Sequence, residues 1–345
     1  MRIRVSALEF KRSLEKLIQS TAKTCINFTE EDGKLFMQAS VGVIIEREVS
    51  CIDTEGNPIS ISVAIDRGVI PLIKDTSQKF VTLTQAGSLL FIQQGEMQVI
   101  LSEQPEDRIH LFDVAESEYK QVRVSEFKKI LHVSRAMSPM VKALAASESP
   151  VMILGGNAYV TYSNTAYIVE TKLPDMQVSY DLLKKAVNAI TEDTVNYLLD
   201  KEDGVLWLRT KECRISIPVA EVYEGSVEQI TSVESSLKDL TQLSITAYTE
   251  DIKTLCNIKK AGMCYVFIGG GSLHLNVENN TTRFEVGPEV KDGVTLQLSM
   301  AQLAVIAALY GDCTEVKVRK GINLICMISE NLKSRLLLAG LTYTE

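Results

Sequence analysis

EFKRSL at Glu9–Leu14 returns as EFKKIL at Glu126–Leu131. Each hexapeptide follows a short alternating run, RIRVS at Arg2–Ser6 and QVRVS at Gln121–Ser125. Alternation of period two reads as a strand, and apolar residues three and four apart read as one face of a helix. The chain therefore builds the same strand-to-helix element twice, with cations on the helix each time.

The segments after each element repeat as well. Behind the first come TCINFTE, KLFMQAS and VIIEREV, divided by the turn-like EEDG and ASVG; behind the other come PVMILGG, AYVTYSN and AYIVETK. Their alternation and β-branched content read as strands. A shorter copy lies within each span. ISVAIDRGVIPLIK (Ile61–Lys74) leads into KFVTLTQ, SLLFIQQ and MQVILSE, and QVSYDLLKKAVNAI (Gln177–Ile190) leads into TVNYLLD, GVLWLRT and CRISIPV. A third pair completes the series. LSITAYTEDIKTLCNIKK precedes MCYVFIG, SLHLNVE and TRFEVGP, and TLQLSMAQLAVIAALYG precedes EVKVRKG, INLICMI and SRLLLAG.

Six βαβββ units thus fill the 345 residues. One helix on a small antiparallel sheet is too little to stand alone, whereas two units side by side bury their helices against their sheets. The expected fold class is α+β, with three tandem domains of two units each. The connections CIDTEGNP, SEQPEDRIHLFDVAESEY, ETKLPD and AEVYEGSVEQITSVESSLKDL carry the punctuation. Two of them are long and acidic, which sets the expected domains at 1–112, 113–230 and 231–345.

The helices share a pattern of faces. In the first, Phe10, Leu14, Leu17 and Ile18 lie on one side, and Arg12, Lys16 and Gln19 on another, with Lys11 less clearly placed by helical phase. The third turns Phe127, Ile130 and Leu131 inward and Lys128, Lys129, His132 and Arg135 outward. The fourth buries Leu182, Leu183, Ala186, Val187 and Ile190 and shows Lys184, Lys185 and Asn188. The fifth offers Lys253, Asn257, Lys259 and Lys260. The second is short, interrupted by Pro71, and has only Arg67 and Lys74. The sixth, AQLAVIAALYG, carries no cation and is more apolar than one buried face needs, so it is expected to pack partly against a neighbour or to stand back from any ligand.

Lysines on helices are ordinarily just solvated. Here related helices repeat cations at comparable places in a chain of net charge −8, so the remaining surface must be strongly acidic. That division suits phosphate contact without base reading, since local field depends on where charges sit. No zinc-finger pattern, RNA-binding aromatic signature or long basic tail accompanies it.

Other functions find little support. The chain has no GxxxxGK[ST], GxSxG, HExxH or GxGxxG. GGG at Gly269–Gly271 and GGN at Gly155–Asn157 lie between strands and read as hairpin turns, and the carboxylates Asp113, Glu116, Glu202 and Asp203 fall in linkers and turns. Catalysis is not expected. Cys25, Cys51, Cys213, Cys256, Cys264, Cys313 and Cys326 stand singly, as do His110, His132 and His274, so neither a disulfide framework nor a metal site is expected, and no cofactor. MRIRVSALEF has no apolar signal core, and no run of about 18 apolar residues suggests a membrane span. The expected location is the cytoplasm, without a membrane partner.

The theme in VSALEFKRSL, VRVSEFKKIL, VSYDLLKKAV and ITAYTEDIKTL resembles that of the DNA polymerase sliding clamps, specifically the three-domain bacterial β-clamp type, over nearly the whole chain. That resemblance implies a closed ring with helices lining a central hole and sheets outside. Double-stranded DNA passes through the hole without sequence preference, and the ring tethers the replicative DNA polymerase and makes its synthesis processive. Family rings hold twelve βαβββ units, which implies a head-to-tail homodimer here, loaded by a clamp loader. An open or monomeric processivity or repair subunit with the same fold, holding DNA by charge alone, is the alternative.

The resemblance further implies a hydrophobic pocket between the middle and last domains that takes short linear motifs. The family's Thr-Asp-Gly-His-Arg-Leu stretch corresponds to Ser163, Asn164, Thr165, Ala166, Tyr167 and Ile168, whose two ends keep its character while the centre does not match. The apolar chain end corresponds to LLLAGLTYTE, so Leu337, Leu338 and Leu341 are implied pocket residues, with Tyr343 nearby. As plain sequence, those leucines fit a strand core equally well. The departures suit a divergent clamp, such as a bacteriophage one, with its own partner motif.

Overall fold

The computed structural model describes residues 2–19, 23–74, 79–104, 118–144, 150–162, 165–238, 241–245, 263–269, 272–278, 283–286, 294–310, 316–320, 324–329, 333–339 and 341–343. The expected fifth helix and most of the linker around residue 112 lie outside them. The chain divides into two compact units, Met1–Ser125 with Asp181–Val219, and Glu126–Tyr180 with Ala220–Glu345. The middle third of the chain contributes to both.

The first unit begins with β1 (Arg2–Ser6), whose Ile3 and Val5 are buried while Arg2 and Arg4 are exposed. It runs into α1 (Ala7–Leu17) through a capping box, S-x-x-E, in which Glu9 N donates to Ser6 Oγ at 3.4 Å. Phe10, Leu14 and Leu17 are fully buried, and Phe10 stacks near Phe28 with centroids 6.3 Å apart. The strands β2 (Thr24–Glu31), β3 (Lys34–Ser40), β4 (Ile44–Glu55) and β5 (Ser60–Ile65) follow, then a 3-10 helix, Arg67–Leu72, containing Pro71. Next come β6 (Phe80–Ala86), β7 (Leu89–Gln94), β8 (Met97–Ser102) and β9 (Lys120–Arg123).

β4 is longer than its sequence suggests, because CIDTE, expected as a connection, continues the strand. Ile44–Ser50 pairs with β3, and Cys51–Glu55 pairs with β1 across a register shift at Arg4/Val5. Its first four residues also take a strand from far along the chain. That strand belongs to α4 (Tyr180–Ala189), β14 (Thr194–Asp200), β15 (Val205–Arg209) and β16 (Cys213–Pro218), with Cys213–Ser216 running antiparallel to Ile44–Arg47. One sheet therefore runs β8-β7-β6-β1-β4-β16-β15-β14-β9, with β3, β2 and β5 branching from β4.

The β4–β16 seam is polar. Glu46, 2% exposed, faces Arg214 in register and pairs with its guanidinium at 2.9 Å, while Gln38 donates to its other oxygen at 3.1 Å. Arg47, also 2% exposed, donates to Ser13 Oγ of α1 at 3.3 Å, to Ala189 O at 2.8 Å and to Glu212 at 3.1 Å. It thereby caps the carbonyl end of α4, where a cation is favoured. Gly42 (φ +88°) lets the β3–β4 turn approach that helix, since a Cβ there would meet Leu182 Cδ2 at 2.9 Å.

Cys213 is buried at the same seam, and desolvation pushes its thiol up to about 12 against the opposing pull of Arg47. The unfolded thiol ionises near pH 8.5. The native preference for the protonated form therefore adds stability below about pH 8.5, and this is lost as pH rises toward 12. At pH 8, iodoacetamide is expected to label Cys213 only as fast as the seam opens. Labelling at the rate of a free thiol would contradict this burial.

In the second unit, α2 (Val124–Ala136) and α3 (Ser138–Leu144) precede β10 (Val151–Leu154), β11 (Asn157–Tyr162), β12 (Thr165–Glu170) and β13 (Met176–Val178). The Gly155–Gly156 turn joins β10 to β11 as a hairpin, both glycines having positive φ. Later come α5 (Glu224–Lys238), β17 (Thr241–Ile245), β18 (Met263–Gly269), β19 (Ser272–Glu278), β20 (Arg283–Val286), β21 (Val294–Ser299), α6 (Met300–Tyr310), β22 (Val316–Lys320), β23 (Leu324–Ser329), β24 (Ser334–Ala339) and β25 (Leu341–Tyr343). They form an eight-stranded sheet, β13-β10-β11-β12-β24-β23-β22-β17, and a five-stranded one, β20-β19-β18-β21-β25.

Two helices, α5 and α3, depart from the sequence reading, whereas the sixth packs against a neighbour as expected. The acidic stretch expected as a linker near residue 230 folds as α5. The cation-free α6 packs against α3, a helix not anticipated from the sequence, and buries Leu303, Val305, Ile306 and Leu309. That packing accounts for its apolar excess.

Candidate nucleic-acid interface and partner pocket

The cations expected at an interface differ in what holds them. Arg12 on α1, Lys128, Lys129 and Arg135 on α2, and Lys184 on α4 are exposed, as are Arg67 and Lys74 beside the 3-10 helix. Lys129 pairs with Glu126 at 2.9 Å. Lys74 is exposed on a fixed backbone, its N and O bonded to the Gln94 amide at 2.8 and 2.6 Å.

Lys16 and Lys185 have internal partners. Lys16 Nζ donates to Asn188 O at 2.9 Å; Lys185 Nζ donates to Val41 O at 3.0 Å and pairs with Asp181 at 2.9 Å. With Gln19 Nε2 donating to Lys185 O at 2.7 Å, these bonds fasten α1 and the β3–β4 turn to α4. Lys253, Lys259 and Lys260 lie outside the described residues.

The residues implied for a partner pocket meet where β12 pairs with β24, with Ala166 opposite Leu337 and Tyr167 opposite Leu336. Successive residues of a strand point to opposite faces, so the two consecutive pairs divide. Ile168 and Leu337 share one face, in an apolar cluster with Met152, Tyr159, Ala166 and Cys326. Tyr167 and Leu338 are buried on the other face, on the side of Thr165, whose Oγ1 lies 4.0 Å from Met140 Sδ of α3. Leu341 starts β25, which pairs with β21. Ser163 and Asn164 are outside the described residues.

Met152, Tyr159, Cys326 and Ile230 were not among the residues implied for the pocket, and Ile230 comes from a stretch expected as a linker. Ile230 of α5, 4% exposed, covers the cluster from the face opposite α3, with Leu154 and Ile328 half-buried at the margin. Its signal in the sequence was an apolar spacing, Val227, Ile230, Val233 and Leu237, inside an otherwise polar run that reads as a linker.

No family model matches the chain, and no curated protein matches it. Solved structures do. The DNA polymerase III subunit beta from Pseudomonas aeruginosa superposes with a TM-score of 0.78 at 13% identity, covering 99% of this chain and 100% of that one. The DNA polymerase sliding clamp from Caulobacter crescentus gives 0.77 at 12% identity, covering 99% of both chains. A putative DNA polymerase III beta subunit from Eubacterium rectale gives 0.75 at 11%, covering 99% and 100%. The chain has the sliding-clamp fold.

Among the described side chains of α5, Ile230 is the buried one, and it anchors the helix to the cluster. Ile230→Ala is expected to remove about 2 kcal/mol of that anchorage. Amide exchange in α5 then rises about thirtyfold by local opening, while β12 and β24 keep their protection. Unchanged exchange in α5 would show that other contacts hold the helix.

Proposed function

We propose that this protein is a DNA polymerase processivity factor, a ring that encircles duplex DNA and tethers the replicative polymerase. The observation that carries this reading is the full-length likeness to DNA polymerase III beta subunits and sliding clamps. In it the chain has three domains, cut near residues 112 and 230. Arg12, Arg67, Lys74, Lys128, Lys129, Arg135 and Lys184, with Lys253, Lys259 and Lys260, face phosphate. Lys16 and Lys185 add positive field close to their carbonyl partners. Contacts of this kind hold no base register and let the ring slide, so retention comes from topology.

Two chains close the ring head to tail. Unpaired strand edges invite another strand, and among the described strands both sheets needed for that junction offer one: β8 ends the order of the first unit's sheet and β20 ends the five-stranded sheet. The polymerase, and a clamp loader in its turn, dock a short apolar motif at the margin of the Ile168–Leu337 cluster, where Leu154 and Ile328 are half-buried. The protein acts without catalysis of its own, in the cytoplasm, or in that of an infected host.

Light scattering across a dilution series, followed by loading onto nicked circular DNA, tests this reading. A mass of two chains and loss of the protein on linearisation are expected. A monomer at every concentration, bound to DNA only at low salt, would favour an open accessory subunit instead.

A further inference from the structure

Beside the apolar cluster, the second unit has a cleft of about 440 Å³ at the ends of β12 and β24. Lys129 of α2 reaches it from one side; Lys172, just past β12, and Lys333 and Arg335 at the start of β24 reach it from the other. Helical spacing points to Lys129 alone, because the other three cations lie off the helices. The Gly155–Gly156 turn also lines the cleft, and the space where a Gly155 side chain would stand is open.

Two features suggest a site for phosphate. Lys333 has φ +47°, a left-handed conformation uncommon for a residue with a side chain; such outliers gather where geometry serves a ligand. The cations also outnumber the carboxylates. Glu126 and Glu170 are the acidic residues of the cleft, paired with Lys129 at 2.9 Å and with Lys333 at 3.7 Å. The Lys333–Glu170 pair is exposed on both sides, so it is weak and yields to a stronger anion.

We infer that Lys172, Lys333 and Arg335 form, with Lys129, a phosphate-contacting cleft that extends the DNA-binding surface from the helices onto the strand ends. This rests on the DNA-encircling function proposed above. Duplex phosphates fit better than an acidic peptide, because the cleft includes Lys129, whose helix α2 also carries the exposed cations Lys128 and Arg135.

The test uses the full chain and a short fluorescein-labelled duplex, titrated across a salt series. The triple variant Lys172→Gln, Lys333→Asn, Arg335→Gln removes the three charges, and asparagine tolerates the backbone at 333. The slope of log affinity against log salt is expected to fall by about 2–3, near 0.9 for each phosphate no longer neutralised. Glu170→Gln is expected to raise affinity a few-fold, a gain that damage to the fold does not produce. If Lys128→Gln flattens the slope while the triple variant and Glu170→Gln change nothing, the cleft is not a phosphate site, though the DNA reading stands. If the wild-type chain shows no salt-dependent binding, the phosphate contacts are overturned in the cleft and on the helices alike, and the ring reading then stands or falls on the loading test alone.

Discussion

Arg47→Ala is expected to lower the unfolding free energy of the first unit by about 3–4 kcal/mol, a large fraction of a domain's marginal stability. The guanidinium is 2% exposed and donates to three elements at once: α1 at Ser13, the end of α4 at Ala189, and Glu212 before β16. Alanine leaves the Ala189 carbonyl without this donor and opens a cavity between the two helices. Each hydrogen bond involving the charge is worth about 1.5–3 kcal/mol, and the void adds to the loss. Arg47→Met restores most of the volume and should lose only about 2 kcal/mol, mainly the stranded carbonyl. Glu212→Ala should lose under about 1 kcal/mol, because Glu212 is 56% exposed and water screens it. Trp207, the chain's single tryptophan, sits buried on β15 of the same unit. Its fluorescence in urea reports this transition directly. Equal losses in all three variants would mean that the ion pair, not the capping of α4, dominates the seam.

The seam also marks where sequence reading ends. Strands and helices were legible because their signals are local: the Ile3–Val5 alternation, the Ser6–Glu9 cap and the Phe10–Leu14 spacing each lie within a few residues. Pairings such as β4 with β16 and β12 with β24 join segments far apart, and nothing near either strand specifies its partner. CIDTE reads as a turn until β1 is placed beside it. α5 was missed because its buried Ile230 makes its contacts with strands on both sides of it in the chain. The candidate site shows the same division. Helical spacing correctly placed Arg12, Lys128, Arg135 and Lys184 on exposed faces, but it had no means of detecting the carbonyls that meet Lys16 and Lys185. Grouping Tyr167 with Ile168, and Leu337 with Leu338, passed over a constraint that was available, since adjacent strand residues face opposite ways.

Ile100→Lys is expected to have the largest effect of all, on assembly. Ile100 is 55% exposed on β8, the last strand in its sheet order, and faces solvent with Gln98 and Ser102 while Met97, Val99 and Leu101 are half-buried. Past its end the chain is tied down, since Gln104 N donates to Ser62 O at 2.7 Å; Met97–Ser102 itself pairs only with β7 among the described strands. An uncharged, apolar edge left open in solution is an aggregation hazard unless a partner covers it. The proposed ring covers it with β20 of the next chain. Burying one isoleucine contributes about 2.5 kcal/mol. A two-chain ring has two such junctions, so the variant forfeits about 5 kcal/mol, between three and four decades in dissociation constant. Within the monomer the substitution is nearly silent, because the side chain already faces water. Light scattering should therefore show the mass of one chain where the wild type shows two, while Trp207 still reports a single cooperative unfolding transition that no longer depends on protein concentration. Retention on circular DNA should vanish as well, because an open ring has no topology to hold it. If the variant remains a dimer and stays on circles, the ring closes through a surface other than β8.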